Sequence, residues 1–136
     1  MQTTLDKRAF GLRIENRAET WFTSKYPRAR LVARNFTCKS GEIDLIFDVA
    51  GELVFVEVRA RVRGAWVSGI ESVTLRKRKR LERAIGVFLS RYRGSARTLR
   101  VDVLVFEMES GMVSELVWDQ AGESGSWIHY PNVRLD

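Results

Sequence analysis

Residues 41–61 read GEIDLIFDVAGELVFVEVRAR. Two apolar runs, 42–48 and 53–62, flank an Ala50-Gly51 turn. They are rich in Ile, Leu, Val and Phe and bounded by glycine, which predicts a pair of strands. In the second run Val54, Val56, Val58, Ala60 and Val62 share one face and must meet a core. Phe55, Glu57, Arg59 and Arg61 share the other. A two-residue turn pairs Val49 with Glu52, so facing numbers sum to 101 and Asp44 falls opposite Glu57. Facing residues have Cβ atoms about 5 Å apart. Two carboxylates that close repel unless a cation lies between them. Mg²⁺ is commonly held by one or two carboxylates plus phosphate oxygens and water. Two readings follow: a divalent-metal site for phosphodiester chemistry, or a solvated face with Glu–Arg pairs across the strands.

The rest of the chain predicts one α/β domain over 1–136 in the order α-β-β-β-α-β-β. Apolar positions Phe10, Ile14, Ala18, Trp21 and Phe22 predict an amphipathic helix over 5–25, closed by Pro27. Residues 30–38 read as a first strand and 63–71 as a loop. Leu81, Ile85, Phe88, Leu89 and Tyr92 form the apolar stripe of a second helix over 74–92, capped by Ser72 or Thr74. A strong strand follows at 98–107 and a weaker one at 112–118. The segment 119–136 reads as a loop-like tail.

Composition narrows the function. The chain has 136 residues and 45% hydrophobic content, enough for a real core. A single cysteine, Cys38, excludes an internal disulfide and a cysteine-based metal cage. MQTTLDKRAFG lacks the apolar run of a secretory signal, and no apolar stretch reaches membrane-spanning length, so a cytoplasmic protein with no membrane partner is expected. The one histidine, His129, lies in the tail, and neither a Ser-His-Asp set nor a phosphate-loop spacing is present. The net charge of +6 is unevenly placed. Residues 59–100 hold 13 Lys/Arg against Glu71 and Glu82, and the remainder is net acidic. The band contains Arg76-Lys77-Arg78-Lys79-Arg80, five like charges in a row. A charge run can be no more than a solvated helix face, but a phosphate partner would relieve this one, and the band begins at the candidate metal site. A nucleic acid is the expected partner. Arg61, Arg63 and the five-residue run are the candidate contacts.

These residues together resemble a known family. Asp44 followed by Glu57-Val58-Arg59 is similar to the D…ExK signature of the PD-(D/E)XK nuclease superfamily, which has the restriction-endonuclease-like fold of a mixed β-sheet flanked by helices. The closer resemblance is to the YraN-type family of endonucleases, similar to archaeal Holliday-junction resolvases. It rests on Gly11-x-x-x-Glu15-x-x-Ala18, Ala33-Arg34-Asn35, Gly41 to Ile46, Phe55 to Arg59, Ser72-Val73-Thr74, Lys77, Leu81 and Arg100 to Val103, with Ile128-His129 and Asn132 in the tail. The resemblance implies a metal-dependent endonuclease acting on DNA, branched or structured, and a homodimer. It implies Mg²⁺ or Mn²⁺ held by Asp44, Glu57 and the Val58 carbonyl, with Glu15 reaching in from the first helix. Arg59 stands where the superfamily usually has Lys. Arginine keeps its proton in proteins, so Arg59 can orient water or stabilise charge but cannot act as a base. That departure keeps open a second reading, a nucleic-acid-binding module with little or no cleavage. Asp102, an acid interrupting an apolar strand, reads as structural, and Trp66 as either a base-stacking or a core-covering residue.

Overall fold

The runs on either side of Ala50-Gly51 form the expected hairpin, and its register follows the rule that facing numbers sum to 101 from Val49↔Glu52 to Leu45↔Val56. Ala50 and Gly51 both have positive φ, 51° and 92°, the twist that a two-residue hairpin turn requires. The Asp48 carboxylate accepts the Gly51 N–H at 2.9 Å and closes the turn. The computed structural model describes residues 4–64, 69–108 and 125–136, with side chains from Arg8 onward. The expected strand at 112–118 and Trp66 lie outside the described residues.

The order is α1 (Thr4–Lys25), β1 (Ala29–Cys38), β2 (Gly41–Val49), β3 (Glu52–Val62), α2 (Leu75–Arg91), β4 (Thr98–Met108) and β5 (Ser126–Tyr130). The five strands form one mixed sheet in the order β1-β2-β3-β4-β5. β3 and β4 run parallel, joined across α2, and every other neighbour is antiparallel. The tail is therefore not all loop: Ser126–Tyr130 adds an antiparallel strand along β4, from Val103↔Tyr130 to Glu107↔Ser126. Five residues carried too little periodicity to be read as a strand.

The two helices cover opposite faces of the sheet. Ala18 and Phe22 of α1 pack on Leu45, Phe47, Val54, Val56 and Leu104. Leu81, Ala84, Ile85 and Phe88 of α2 pack on Ile43, Ile46, Leu53, Phe55 and Val101. β3 is thus buried on both faces as far as Val56. Two expectations change. Ala60, placed by alternation on the core face, is exposed, although Val58 and Val62 on either side of it pack against the Ile14 cluster. Leu89 is 37% exposed and Ala84 takes its place in the stripe, because the buried face follows 81, 84, 85 and 88. Thr74 is the N-cap of α2, its hydroxyl accepting the Lys77 N–H.

Alternation breaks at the bulge between Leu31 and Ala33 and again at a place that matters for the site. Arg34 pairs with Glu19 of α1 at 2.7 Å, yet Phe36, two residues on, packs edge-on against Phe88 of α2. Across the ladder, Leu45 faces α1 while Ile43 faces α2. The pairs Arg34↔Leu45 and Phe36↔Ile43 bracket Asn35 and Asp44, so both strands turn over together there. Asn35 has φ 51°, a left-handed conformation that asparagine tolerates better than most residues. Gly41, at the β1–β2 turn, leaves room for the α2 backbone: a Cβ there would lie 3.1 Å from the Arg80 carbonyl oxygen.

Asp102 is fully buried on β4, as a structural acid should be only when paired. Arg100 Nε and Nη2 donate to its two oxygens at 3.1 and 3.2 Å, and the Asn132 N–H donates at 3.0 Å. His129 Nε2 lies 2.7 Å away, and Lys25 Nζ lies 2.8 Å from His129 Nδ1. An ammonium can only donate, so Nε2 carries the proton that His129 gives to Asp102. Burial pushes the Asp102 carboxyl up, but His129, the Asn132 N–H and Arg100 together hold it below the usual carboxylate range. This node pins β5 and the chain end to β4. Asp102→Ala should cost about 3–5 kcal/mol in urea unfolding, because it strands buried donors. The stabilisation is fully present above the unfolded value of 3.8 and fades as pH falls through the lower folded value, so the deficit should shrink in strong acid.

Candidate active site

Asp44 is where β2 leaves β3. Paired positions end at Leu45↔Val56, and the next backbone donor on β3, the Val58 N–H, goes instead to Asp44 Oδ2 at 2.8 Å. A carboxylate has taken the place of a ladder carbonyl. An extended residue sends its N–H and C=O to the same edge, so the Val58 carbonyl also faces the Asp44 side. Glu57 is the position facing Asp44 in the continued register, and both side chains line one cleft. The expected juxtaposition is present, with the strands parting at that point to admit the Asp44 side chain.

Glu15 reaches the pair from α1. Its side chain lies close to that of Asp44, and Asn35 is near enough to pull against the rise in its pKa. Burial, then the Asp44 charge, push Glu15 up to about 7. Burial, then Asp44 again, push Glu57 up to about 8, against the pull of Arg59 and Lys77. Asp44 is likewise raised, chiefly by burial, with the Val58 N–H and Arg59 working against it. Glu42, exposed at the cleft edge, adds repulsion to all three.

Around these acids the cleft, about 370 Å³, presents cations: Arg59, Lys77 and Arg80 beside Glu42, Asp44 and Glu57. Arg59 Nη1 is 3.9 Å from Glu57 Oε1, and its Nε donates to Ser72 Oγ at 3.2 Å. Cys38 packs against the α2-side core and also borders the cleft. The basic run of α2 divides by helix geometry. Lys77 and Arg80 face the cleft, Arg76 and Lys79 are exposed, and Arg78 is half-buried. Arg78 is used structurally: Nε donates to the Val73 carbonyl at 2.9 Å and Nη1 to the Arg134 carbonyl at 3.2 Å. Arg63 pairs with Glu107 at 3.3 Å, and Arg61 is half-buried on β3. Asn35, Glu42 and Ser72 acquire site roles that strand periodicity could not suggest. Asn35 stood in the Ala33-Arg34-Asn35 motif, but its reach to Glu15 needs the packed helix.

The donors suit a hard divalent cation. Carboxylates and a backbone carbonyl are the ligands that Mg²⁺ and Mn²⁺ prefer. Glu15 Oε2 is buried without a hydrogen-bond partner. Among the described residues no three His, Cys, Asp or Glu side chains close into a cage that holds an ion unaided. Mg²⁺ does not ask for one, since it keeps waters and takes substrate phosphate oxygens.

Carboxyls raised in the folded state stabilise it at low pH and lose that contribution as pH rises through the folded values. Between about pH 5 and pH 8 the metal-free protein should therefore lose thermal stability. Glu57→Gln should be more stable than the parent at pH 8 by about 1–2 kcal/mol and nearly equal to it at pH 5. Mn²⁺ should raise the melting temperature of the parent more at pH 8 than at pH 5. Differential scanning calorimetry across that range checks all three.

No helix among the described residues is long and apolar enough to cross a membrane. The family model described as "Uncharacterised protein family UPF0102" matches residues 14–106. A UPF0102 protein of Burkholderia thailandensis is 44% identical over 104 residues, covering 74% of this chain and 69% of the relative. One from Ralstonia nicotianae is 48% identical over 90 residues, 61% and 69% of the two chains. One from Stutzerimonas stutzeri is 39% identical over 90 residues, 65% and 74%. The matched span runs from Ile14, one residue before Glu15, through both strands of the hairpin, α2 and most of β4, and on that ground the chain belongs to the UPF0102 family, the YraN-type family its motifs resemble.

Proposed function

We propose that the cleft is a metal-dependent phosphodiesterase site and the protein an endonuclease of the PD-(D/E)XK type acting on DNA. The observation that carries this reading is the meeting of Asp44 and Glu57 in one cleft with Arg59, Lys77 and Arg80, while Glu15 of α1 lies close enough to Asp44 to feel its charge. Like charges held together at the expense of raised pKa values suit a bound cation, and the facing cations suit a phosphate.

Asp44, Glu57 and the Val58 carbonyl would hold Mg²⁺ or Mn²⁺, with Glu15 as a further ligand or a hold on a water. A bound divalent ion would acidify water, polarise the phosphoryl oxygen and steady the leaving oxygen. Glu15, whose carboxyl is raised to about 7, would accept a proton from the attacking water. Arg59 keeps its charge and answers the negative charge that grows on the phosphoryl oxygens. Lys77 and Arg80 would hold the flanking phosphates. The preference for branched DNA follows from the resemblance to resolvases alone, as does a homodimer that would present two such clefts to paired strands. The fixed proton of Arg59 favours the second reading, a DNA-binding module that cleaves poorly, because it removes the usual lysine base.

The test incubates the purified protein with linear, nicked and four-way DNA in Mg²⁺ or Mn²⁺. Asp44→Ala and Glu57→Ala should each reduce cleavage by about a hundredfold or more. Cleavage that survives both substitutions removes this site from consideration, and binding without cleavage in either metal selects the module reading. Lys77→Ala and Arg80→Ala should each lower the slope of log affinity against log salt by about one.

A further inference from the structure

We propose that Ser72 is a positioning residue, which fixes Arg59 as an oriented and permanently charged phosphate clamp. The inference rests on the phosphodiesterase reading of the cleft and deepens it: the group it serves is an oxyanion with at least two free oxygens.

Ser72 is a rigid post. Its hydroxyl donates to the Gly69 carbonyl at 2.6 Å, which spends its proton and leaves a lone pair for a donor. Arg59 Nε takes that lone pair at 3.2 Å. The turn that carries the hydroxyl is locked on both sides. Val73 is 3% exposed, and its N–H donates to the Ile70 carbonyl at 3.2 Å. Gly69 packs so closely on β4 that a Cβ would fall 2.4 Å from Val105 Cγ1. Two residues on, Thr74 caps α2, so the same turn sets the start of the helix that brings Lys77 and Arg80 to the cleft.

With Nε held from behind, the two Nη groups of Arg59 form the free end of the fork. Nη1 lies 3.9 Å from Glu57 Oε1, beyond hydrogen-bond length, so attraction steers it while its protons stay available. A planar fork tied at its root matches two oxygens of a phosphate, which a lysine at this place could not do from a single ammonium. The arrangement replaces a titrating base by a fixed geometry.

The test combines a double-mutant cycle with a direct view of the Arg59 Nε–H by nuclear magnetic resonance in isotope-labelled protein, assigned by its loss in Arg59→Lys. In Ser72→Ala the Nε–H should exchange faster with solvent. kcat for DNA cleavage should fall about tenfold with KM unchanged. Ser72→Thr, which keeps the hydroxyl, should restore both. In the Arg59→Lys background, Ser72→Ala should add no further loss. An Nε–H unchanged in Ser72→Ala overturns the proposal. An equal loss in both backgrounds does so too, because Ser72 would then act through the turn or the helix cap. Should the parent protein cleave no DNA in either metal, the nuclease reading fails, while the exchange measurement still decides the bond between Ser72 and Arg59.

Discussion

Carboxyl groups crowd around Asp44, Glu57 beside it in the cleft and Glu15 from α1, and the local irregularities of the structure exist around that constraint. Ordinary strand pairing would have sent Asp44 to one face of the sheet and given the Val58 N–H a backbone partner. Instead β1 and β2 turn over at Asn35 and Asp44, the ladder to β3 stops, and the carboxylate itself accepts the Val58 N–H. Burying like charges is unfavourable, and Glu15 and Glu57 register it as carboxyls that titrate near 7 and 8. Strain of this kind persists when the surroundings over-determine it. Here a two-sided core does so.

That core divides the labour. α1 covers one face of the sheet through its buried Ile14, Ala18 and Phe22 and delivers Glu15, which directly follows Ile14. α2 covers the other face with Leu81, Ala84, Ile85 and Phe88, and its amino-terminal turns carry Lys77 and Arg80 to the cleft. The acids come from the sheet and from α1, and the cations from α2 and from Arg59 on β3. Relative placement of the two charge sets therefore depends on how α2 is seated. Thr74 caps it, Arg78 ties it to the Val73 and Arg134 carbonyls, and Gly41 lets its backbone approach the hairpin. The chain end is held in turn by Asp102, whose bonds to Asn132 and His129 fix β5 and the residues after it.

Much of this was legible in the letters, and for definite reasons. The hairpin register follows from one turn and a period of two, so the approach of Asp44 to Glu57 needed no coordinates. The helices follow from apolar spacing, and the structural reading of Asp102 from an acid set among β-branched residues. The five-residue β5 was too short to show a period. Ala60 and Leu89 were misplaced because periodicity says which residues share a face, not which of them the neighbouring side chains cover. The basic run looked like five equivalent phosphate contacts. Helix geometry separates them, with Arg78 turned to backbone carbonyls and Lys77 and Arg80 to the cleft.

By itself the sequence determined β1 to β4, the helices, the pairing of the hairpin and the sign of the charge along the chain, because each depends on neighbours within a few residues. Tertiary structure decided how closely Glu15 approaches Asp44, that Asn35 lies beside them, and that Ser72 holds Arg59. Those contacts bring together residues on separate elements, and their separations depend on how the helices seat on the two faces of the sheet. No local spacing encodes that seating.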